Sequence, residues 1–174
     1  MAKIVVCDLD GCLNYYPKCF LDWVSKNYIF IYDSIDQMKM SMSVELYEEI
    51  KQVYRVSGAK RQLPIRKGAI KTLQYFKSCD WEIHILTARP TFSPVKEDTL
   101  YWLRKFNFDV VKFYGNKYEY IREYKDRLLF VIDDDEQLAM RVVDLGIKVF
   151  LFGSINYSNI IPVKSWGEIM RSVR

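Results

Sequence analysis

Four short stretches of this chain carry side chains that could do phosphate chemistry. Asp8-Leu9-Asp10-Gly11 places two carboxylates two residues apart, directly before a glycine. Asp133-Asp134-Asp135 is a second run of carboxylates, and Thr87-Ala88-Arg89 and Gly115-Asn116-Lys117 lie between the two. Together, carboxylates, a hydroxyl and an amine are the groups that a phosphate-transfer site with a hard metal ion requires.

The chemistry explains each residue type. An aspartate can attack phosphorus and form an aspartyl-phosphate, which divides hydrolysis into two easier steps. A second carboxyl group two residues further on can protonate the leaving oxygen and then activate water. Two carboxylates and a backbone carbonyl suffice for Mg²⁺, which keeps several of its waters. Thr87 and Lys117 would bind the phosphoryl oxygens, and Gly11 permits a tight turn that brings backbone N–H groups to the phosphate.

Each stretch follows a short apolar run that predicts a buried strand. The predicted strands are residues 4–7, 81–86, 110–113, 128–132 and 148–152, and helical patterns lie between them at 67–77, 95–105, 117–124 and 135–145. This alternation predicts an α/β fold with a doubly wound, Rossmann-like parallel sheet of five strands. Because ligands collect at the carboxyl ends of such strands, the four stretches should meet at one edge of the sheet.

Residues 14–66 interrupt the alternation. They hold no convincing buried strand, but they have amphipathic segments at 20–28 and 44–54. We interpret them as a small helical cap inserted after the first strand. The chain then divides into a core, residues 1–13 and 67–174, and a cap, residues 14–66.

Two groups of side chains in or beside this insert have a structural and a functional interpretation. The aromatic residues that open it form its core, or one or two of them stack on a base above the phosphate; they are Tyr15, Tyr16, Phe20 and Trp23. The basic residues where it rejoins the core form a solvated face, or steer an anionic substrate; they are Lys60, Arg61, Arg66 and Lys67.

At its motifs the sequence resembles the haloacid dehalogenase-like (HAD) phosphatases. Asp8-Leu9-Asp10-Gly11-Cys12-Leu13 is similar to the first motif of that family. Thr87 is similar to the second motif, Lys117 to the third, and Asp133-Asp134 to the fourth. The resemblance covers nearly all of the chain outside the insert.

The resemblance implies a role for each of these carboxylates. Asp8 would be the nucleophile, and Asp10 the acid and base whose backbone carbonyl also binds the metal. Asp134 would be the main metal carboxylate and Asp133 would support it, so that Asp8, Asp10, Asp134 and Asp133 together hold Mg²⁺. Cys12 stands where the family often has Thr or Val, but no chemistry is assigned to that position.

Within the family, the sequence is more similar to the 5'(3')-deoxyribonucleotidases in residues 63–69, 86–90 and 163–169, and it also resembles the phosphatase domain of phage polynucleotide kinase. This implies a Mg²⁺-dependent phosphomonoester hydrolase acting on nucleoside monophosphates. Its predicted substrate contacts are Gly11, Ala88, Arg89, Phe20 and Trp23. Arg89 is alternatively a solvated loop residue. A 3'-phosphatase acting on nucleic acid ends and a non-catalytic phosphate-binding module stay open as alternative functions.

Several candidate residues have close competitors in the sequence. Lys112 lies within a predicted strand and would leave the sheet sideways, and Lys125 lies near the far end of its predicted helix. Lys117 begins that helix and is the predicted phosphate-binding lysine. His84 lies in the middle of a strand and is predicted to be structural, and Asp135 is predicted to cap a helix.

Composition limits the remaining possibilities. Of the 174 residues, 50% are hydrophobic and 28% charged, with a net charge of +4, which is typical of a globular domain and excludes extended disorder. The four cysteines form no C-x-x-C pair, which argues against a zinc site or a disulfide framework. The N-terminal apolar run is too short for a signal peptide or a membrane span. We therefore expect a cytoplasmic protein with a small phosphorylated substrate and no membrane partner, either a monomer or a homodimer.

Overall fold

The computed structural model describes residues 2–108, 110–155 and 157–174. Within these residues one sheet of parallel strands forms, and its strands are β1 (Ile4–Asp8), β2 (Glu82–Thr87), β3 (Val111–Phe113), β4 (Leu128–Asp133), β5 (Lys148–Leu151) and β6 (Ile160–Pro162). The strand order is β3-β2-β1-β4-β5-β6, so the chain winds outward from β1 in both directions. The predicted doubly wound α/β fold is confirmed.

The predicted number of strands was wrong, because the described residues form six strands and not five. The additional strand, β6, pairs with β5 from Val149↔Ile160 to Leu151↔Pro162. It has three residues and ends in a proline, which lacks an N–H for the strand ladder and is tolerated only at a sheet edge. So short a run has no periodicity, and the sequence pattern alone does not distinguish it from a loop.

After β1 the chain forms a helical insert, consisting of α1 (Lys18–Tyr28), α2 (Ile35–Met40), α3 (Val44–Val56) and a 3₁₀ turn at Ala59–Gln62. Ser34 and Ser43 begin α2 and α3 by accepting hydrogen bonds from backbone N–H groups of the first turn. The predicted lack of a buried strand in this segment is confirmed for the described residues.

The insert has a hydrophobic cluster of its own, whose buried members are Phe20, Leu21, Val24, Met38, Tyr47, Ile50 and Tyr54. The helical spacing of the apolar residues in α1 and α3 directs these side chains toward each other. A separate apolar cluster supports the proposed division into core and cap, which stays a prediction.

Helices cover both faces of the sheet. The remaining helices are α4 (Ala69–Ser78), α5 (Val95–Arg104), α6 (Lys117–Glu123), α7 (Glu136–Val143) and α8 (Trp166–Val173). Side chains of β1 alternate between two hydrophobic clusters, with Val5 in the cluster that contains residues of α4, α5 and α8, and Val6 in the cluster that contains residues of α6 and α7. Every residue of β1 is buried, as its unbroken apolar run predicts.

The topology brings the predicted motifs to one edge. Strands β1, β2 and β4 are parallel neighbours that end at Asp8, Thr87 and Asp133. Lys117 begins α6 after β3. The strand order reverses at β1, which is where ligands bind in open α/β sheets. Across residues 2–108, 110–155 and 157–174, no helix combines the length and the apolar character that crossing a bilayer requires.

Candidate active site

Asp8 forms the centre of the site with Lys117. The Nζ atom of Lys117 lies 2.8 Å from Oδ1 of Asp8 and 3.1 Å from Oδ2 of Asp133. Burial and the neighbouring Asp133 raise the pKa of Asp8 well above its ordinary value. Burial alone would lower the pKa of Lys117, but the two carboxylates outweigh it and hold that pKa well above its usual range. Lys117 therefore stays protonated and supplies a positive charge between the carboxylates at the ends of β1 and β4.

The competing lysines lie elsewhere. Lys112 is in the middle of β3, and Lys125 begins a 3₁₀ turn, Lys125–Arg127, that follows α6 instead of lying within it. Neither of them lines the cavity above Asp8, whereas Lys117 does. His84 is directed away from the site, because its Nδ1 lies 2.6 Å from the hydroxyl of Tyr120 and its Nε2 lies 3.2 Å from Glu82.

Asp10 is clamped by Arg89, and the clamp is bidentate. Nε of Arg89 lies 2.7 Å from Oδ2 of Asp10, and Nη2 lies 2.5 Å from Oδ1. The third guanidinium nitrogen, Nη1, donates to Oγ1 of Thr99 at 3.0 Å. Only 6% of Arg89 is exposed, so its interpretation as a solvated loop residue was wrong. Burial would raise the pKa of Asp10, but the charge and hydrogen bonds of Arg89 hold it well below its usual range.

Asn14 shapes the loop after β1, and the sequence analysis missed it. Its Nδ2 donates to Oδ1 of Asp10 at 2.8 Å, and its own Oδ1 accepts from the backbone N–H of Tyr16 at 2.9 Å and from that of Gly11 at 3.4 Å. Asn side chains often close such turns, and this is the signal that could have identified it. The residue lay instead at the predicted boundary between core and cap.

Gly11 allows Asp134 to approach the loop that follows β1. The glycine has φ +82°, and a Cβ atom at this position would lie 1.8 Å from Oδ2 of Asp134. Both the left-handed backbone and the contact therefore require glycine. Ligand atoms of Asp8, Asp134 and Cys12 all lie within 4.8 Å of one another.

These side chains fit a hard divalent cation. Burial and Asp133 raise the pKa of Asp134 to about 6, which reflects carboxylates that repel one another. Burial also raises the pKa of the Cys12 thiol, so it stays protonated and is a poor ligand. Oxygen ligands from Asp8 and Asp134 are those that Mg²⁺ prefers.

Asp133 and Asp135 organise the loop after β4. Oδ1 of Asp133 accepts from the backbone N–H groups of Asp134 at 2.9 Å and Asp135 at 3.0 Å, while Oδ2 contacts Lys117. Asp133 therefore orients Asp134 and Lys117. The side chain of Asp135 accepts hydrogen bonds from the backbone N–H groups of Gln137 and Leu138 in the first turn of α7, which confirms its predicted role as a helix cap.

A cavity of about 210 Å³ lies above Asp8. The core contributes Asp8, Asp10, Thr87, Ala88, Arg89, Pro90 and Lys117, and the insert contributes Tyr16, Phe20, Lys51, Tyr54, Arg55 and Lys60. Thr87 is buried, and its Oγ1 accepts from the backbone N–H of Arg89 at 3.2 Å. Among the described residues, the structure thus gathers most predicted site residues around one space, under a wall formed by the insert.

Two predicted substrate contacts, Trp23 and Gly11, do not line this cavity. Trp23 packs against Tyr28 and Tyr54, with ring centroids 5.8 and 5.3 Å apart, and it lines a different groove. Gly11 is not among the residues that line the cavity and instead lies against Asp134. Phe20 lines the cavity although it is fully buried in the cluster of the insert.

The predicted basic cluster separates in the structure. Arg61 pairs with Asp98 at 2.5 Å, Arg66 lies over the rings of Tyr15 and Phe152, and Lys67 is exposed. Only Lys60 of the four lines the cavity, and nothing in the sequence pattern distinguishes it from the others. Burial and the charge of Arg89 lower its pKa to about 8.

The fold of this chain is already known from solved structures. No family model matches the sequence, and no match was found among curated proteins. Solved structures do match. An HAD-superfamily hydrolase, subfamily IA, variant 1, from Geobacter sulfurreducens has a TM-score of 0.65 at 15% identity, and the match covers 99% of this chain and 100% of that chain.

Two other solved structures agree with this result. A haloacid dehalogenase-like family hydrolase from Streptococcus pneumoniae has a TM-score of 0.64 at 14% identity, with 99% of both chains covered. CbbY from Rhodobacter sphaeroides, solved in complex with phosphate, has a TM-score of 0.57 at 12% identity, covering 97% of this chain and 96% of that chain. At these identities the comparisons establish the HAD-type fold alone. They do not support the closer likeness to deoxyribonucleotidases or to phage polynucleotide kinase, which stays a hypothesis.

Proposed function

We propose that the chain is a Mg²⁺-dependent phosphomonoester hydrolase that acts through an aspartyl-phosphate on Asp8. The observation that carries the proposal is the position of this carboxylate at the end of central strand β1. It lies 2.8 Å from the Lys117 ammonium and within 4.8 Å of a ligand atom of Asp134, and it faces the cavity. A nucleophile, a fixed cation and a metal-binding carboxylate at one point are what phosphoryl transfer needs.

In the first step, a carboxylate oxygen of Asp8 attacks phosphorus and the ester P–O bond breaks. Asp10, in its protonated form, gives its proton to the leaving oxygen. Lys117 and the hydroxyl of Thr87 hold the phosphoryl oxygens as their charge redistributes. In the second step, Asp10 takes a proton from water, the resulting hydroxide attacks phosphorus, and the P–O bond to Asp8 breaks to release phosphate.

The carboxylates of Asp8 and Asp134 and the backbone carbonyl of Asp10 would hold the metal. When bound, Mg²⁺ neutralises phosphate charge and lets the anionic nucleophile approach. Asp133 orients Asp134, because its side chain accepts a hydrogen bond from the backbone N–H of Asp134. Asp133 therefore belongs to the site as a positioning residue.

For the substrate we propose a small phosphoester, with nucleoside monophosphates as one candidate class. The insert residues Tyr16, Phe20 and Tyr54 line the cavity, and Tyr16, which is half-buried while the other two are buried, is the one that could contact a base or a sugar above the phosphate. Trp23 is not part of that surface. The wall formed by the insert favours a small molecule over the end of a nucleic acid, which needs an open groove.

The test of this proposal is Mg²⁺-dependent release of phosphate from a panel of nucleoside monophosphates, sugar phosphates, p-nitrophenyl phosphate and a 3'-phosphorylated oligonucleotide. A phosphomonoesterase hydrolyses at least one of them, and the ranking identifies the substrate class. Binding of phosphate without hydrolysis of any member would support the non-catalytic module instead.

Removing the metal is expected to abolish activity and to lower the melting temperature. Among the described residues, the buried carboxylates of Asp8 and Asp133 and the half-buried carboxylate of Asp134 face one ammonium, that of Lys117, so a bound cation stabilises the folded state. The measurement is phosphate release and thermal melting in EDTA, followed by excess Mg²⁺. Full activity in EDTA would contradict the proposed metal site.

The melting temperature should also depend on pH in a direction set by Asp134. Its pKa of about 6 in the folded state exceeds the ordinary value of 3.8, so the folded protein binds more protons between these values. In EDTA, stability is therefore expected to fall as pH rises from about 4 to 6. The lowered pKa of Asp10 has the opposite effect, because it makes stability rise with pH, but only below about pH 4. Protonation of Asp134 alone should weaken the affinity for Mg²⁺ by up to about tenfold per pH unit below 6, and the raised pKa of Asp8 should weaken it further in the same direction.

Replacing Gly11 with Ala is expected to weaken Mg²⁺ binding by roughly 10- to 100-fold, in the range of losses measured at supporting positions around metals. The new methyl group would occupy the position of the Asp134 carboxylate, and it strains a backbone with φ +82°. The measurement is activity and melting temperature as functions of Mg²⁺ concentration. Gly58→Ala is the matched control, since its φ is +77° but nothing lies within 4 Å of its Cβ position. Equal effects of both substitutions would mean that backbone strain alone is responsible.

A further inference from the structure

The cavity above Asp8 contains more positive charge than nearby carboxylates balance. Five cationic side chains line it: Lys51, Arg55, Lys60, Arg89 and Lys117. Arg89 is paired with Asp10, and Lys117 with Asp8 and Asp133. Among the described residues, no carboxylate lies within 4.0 Å of a charged nitrogen of Lys60 or Arg55, and Lys51 has only Glu48, at 3.9 Å.

The unbalanced cations all come from the insert. Lys51 and Arg55 are four residues apart on α3, so they lie on one face of that helix. Lys60 belongs to the 3₁₀ turn at Ala59–Gln62, by which the insert returns to the core. The groups that would hold the transferred phosphoryl, by contrast, lie at the carboxyl edge of the sheet, with Thr87 at the end of β2 and Lys117 at the start of α6. The cavity therefore has two cationic regions, and only the one at the strand ends is used by the proposed reaction.

Lys60 is the most informative of the three. Only 5% of it is exposed, and its Nζ lies 5.1 Å from the ring centroid of Tyr54. Its Nζ stays accessible from the cavity, because Oδ2 of Asp98 is the one side-chain N or O atom among the described residues that is fully buried without a hydrogen-bond partner. An ammonium group in the wall of a cavity, with no carboxylate partner, favours an anionic ligand. The ring offers a weak interaction, so a strong anionic partner for Lys60 would have to enter through the cavity.

We infer that the substrate carries a second anionic group, a phosphate or a carboxylate, which Lys60 binds together with Arg55 and Lys51. The inference rests on the proposed function, in which Asp8, Thr87 and Lys117 hold the phosphoryl group that is transferred. The cavity of about 210 Å³ is smaller than the roughly 300–1,000 Å³ of sites for drug-sized ligands, which favours a short spacer between the two anionic groups.

Binding to the Asp8→Asn protein in Mg²⁺ tests the inference without turnover. Calorimetric titration compares three probes that share a three-carbon chain: 1,3-propanediol monophosphate, 1,3-propanediol bisphosphate and 3-(phosphonooxy)propanoate. The bisphosphate is expected to bind about 10- to 100-fold more tightly than the monophosphate, as for one or two charge-assisted hydrogen bonds. If the propanoate also binds more tightly than the monophosphate, the second site accepts any anion. If the bisphosphate alone does so, the second site is specific for phosphate.

Substitutions then assign the site to its residues. Adding Lys60→Met should reduce the preference for the bisphosphate to less than about threefold, whereas Lys60→Arg, which keeps the charge, should retain most of it. Lys71→Met is the matched control, because Lys71 is exposed on α4 and does not line the cavity. Equal binding of monophosphate and bisphosphate, or a preference that survives Lys60→Met in protein with an unchanged melting temperature, would overturn the inference.

The two proposals fail separately. If the wild-type protein hydrolyses no phosphomonoester but the bisphosphate preference is present and depends on Lys60, the proposed reaction is wrong and the anion site stands. If hydrolysis depends on Asp8 but no probe with a second anion is preferred, the reaction stands and the anion site is wrong.

Discussion

Replacing Asp8 with Asn is expected to lower kcat by about 10⁴-fold or more while the fold is retained, because a residue that forms a covalent intermediate has no substitute in the site. The amide has nearly the same shape as the carboxylate but does not form an acyl-phosphate. The measurement is single-turnover and steady-state phosphate release from p-nitrophenyl phosphate in Mg²⁺.

Thermal melting separates this loss from unfolding. Burial and Asp133 raise the pKa of Asp8, so the neutral amide removes a repulsion, and Lys117 keeps Asp133 as its partner. The melting temperature in EDTA should therefore equal or exceed that of the wild type. Asp22→Asn is the matched control, since the Asp22 side chain is 53% exposed and, among the described residues, pairs with Lys18 alone, on the surface. An Asp8→Asn variant that retains more than about 1% of wild-type activity, free of contaminating phosphatase, would contradict the role of Asp8.

Much of the site could be predicted from the sequence because it lies at strand ends. A short apolar run predicts a strand, and the residue after it must lie at the carboxyl edge if the strands are parallel. Asp8, Thr87 and Asp133 end their strands, and Lys117 begins the helix after β3. Their assembly follows from one-dimensional patterns together with the parallel topology.

The rest of the site depends on how segments far apart in the chain approach each other. The sequence pattern did not distinguish Lys60 from Arg61, yet one lines the cavity and the other pairs with Asp98. Their separation depends on the orientation of a four-residue 3₁₀ turn, for which no periodic signal exists. Trp23 was predicted as a substrate contact together with Phe20, but only Phe20 of the two lines the cavity, because helical spacing predicts which residues share a face and not what that face meets.

Asp10 and Arg89 show most clearly what the sequence could not supply. The two residues are 79 positions apart, and the bidentate contact between them exists only because β1 and β2 are neighbours in the sheet. In the conformation described, Asp10 is held as a carboxylate, with its pKa well below the usual range. That state suits the base that the second step of the proposed reaction requires. The acid of the first step requires the proton that Arg89 opposes.

Replacing Asp10 with Asn is therefore expected to affect substrates according to their leaving group. An alkyl phosphate, whose leaving alkoxide needs a proton, should lose about 10²- to 10⁴-fold in kcat/KM, the usual contribution of a general acid. The initial phosphorylation by p-nitrophenyl phosphate should fall much less, because p-nitrophenolate leaves without a proton. The measurement is the burst rate for the aryl substrate and kcat/KM for the alkyl substrate.

Arg89→Lys tests the clamp itself, because a lysine keeps the positive charge but does not form the bidentate contact with Asp10. Weaker pairing should raise the pKa of Asp10, so the limb of the pH–rate profile that reports this group is expected to move to higher pH. Asn14→Ala removes one neutral hydrogen bond of 2.8 Å to the same carboxylate and should move the limb in the same direction by less.

If Asp10→Asn lowers the aryl burst rate as strongly as alkyl turnover, Asp10 is not the proton donor. If neither Arg89→Lys nor Asn14→Ala moves the profile, the clamp does not control the protonation of Asp10 during turnover.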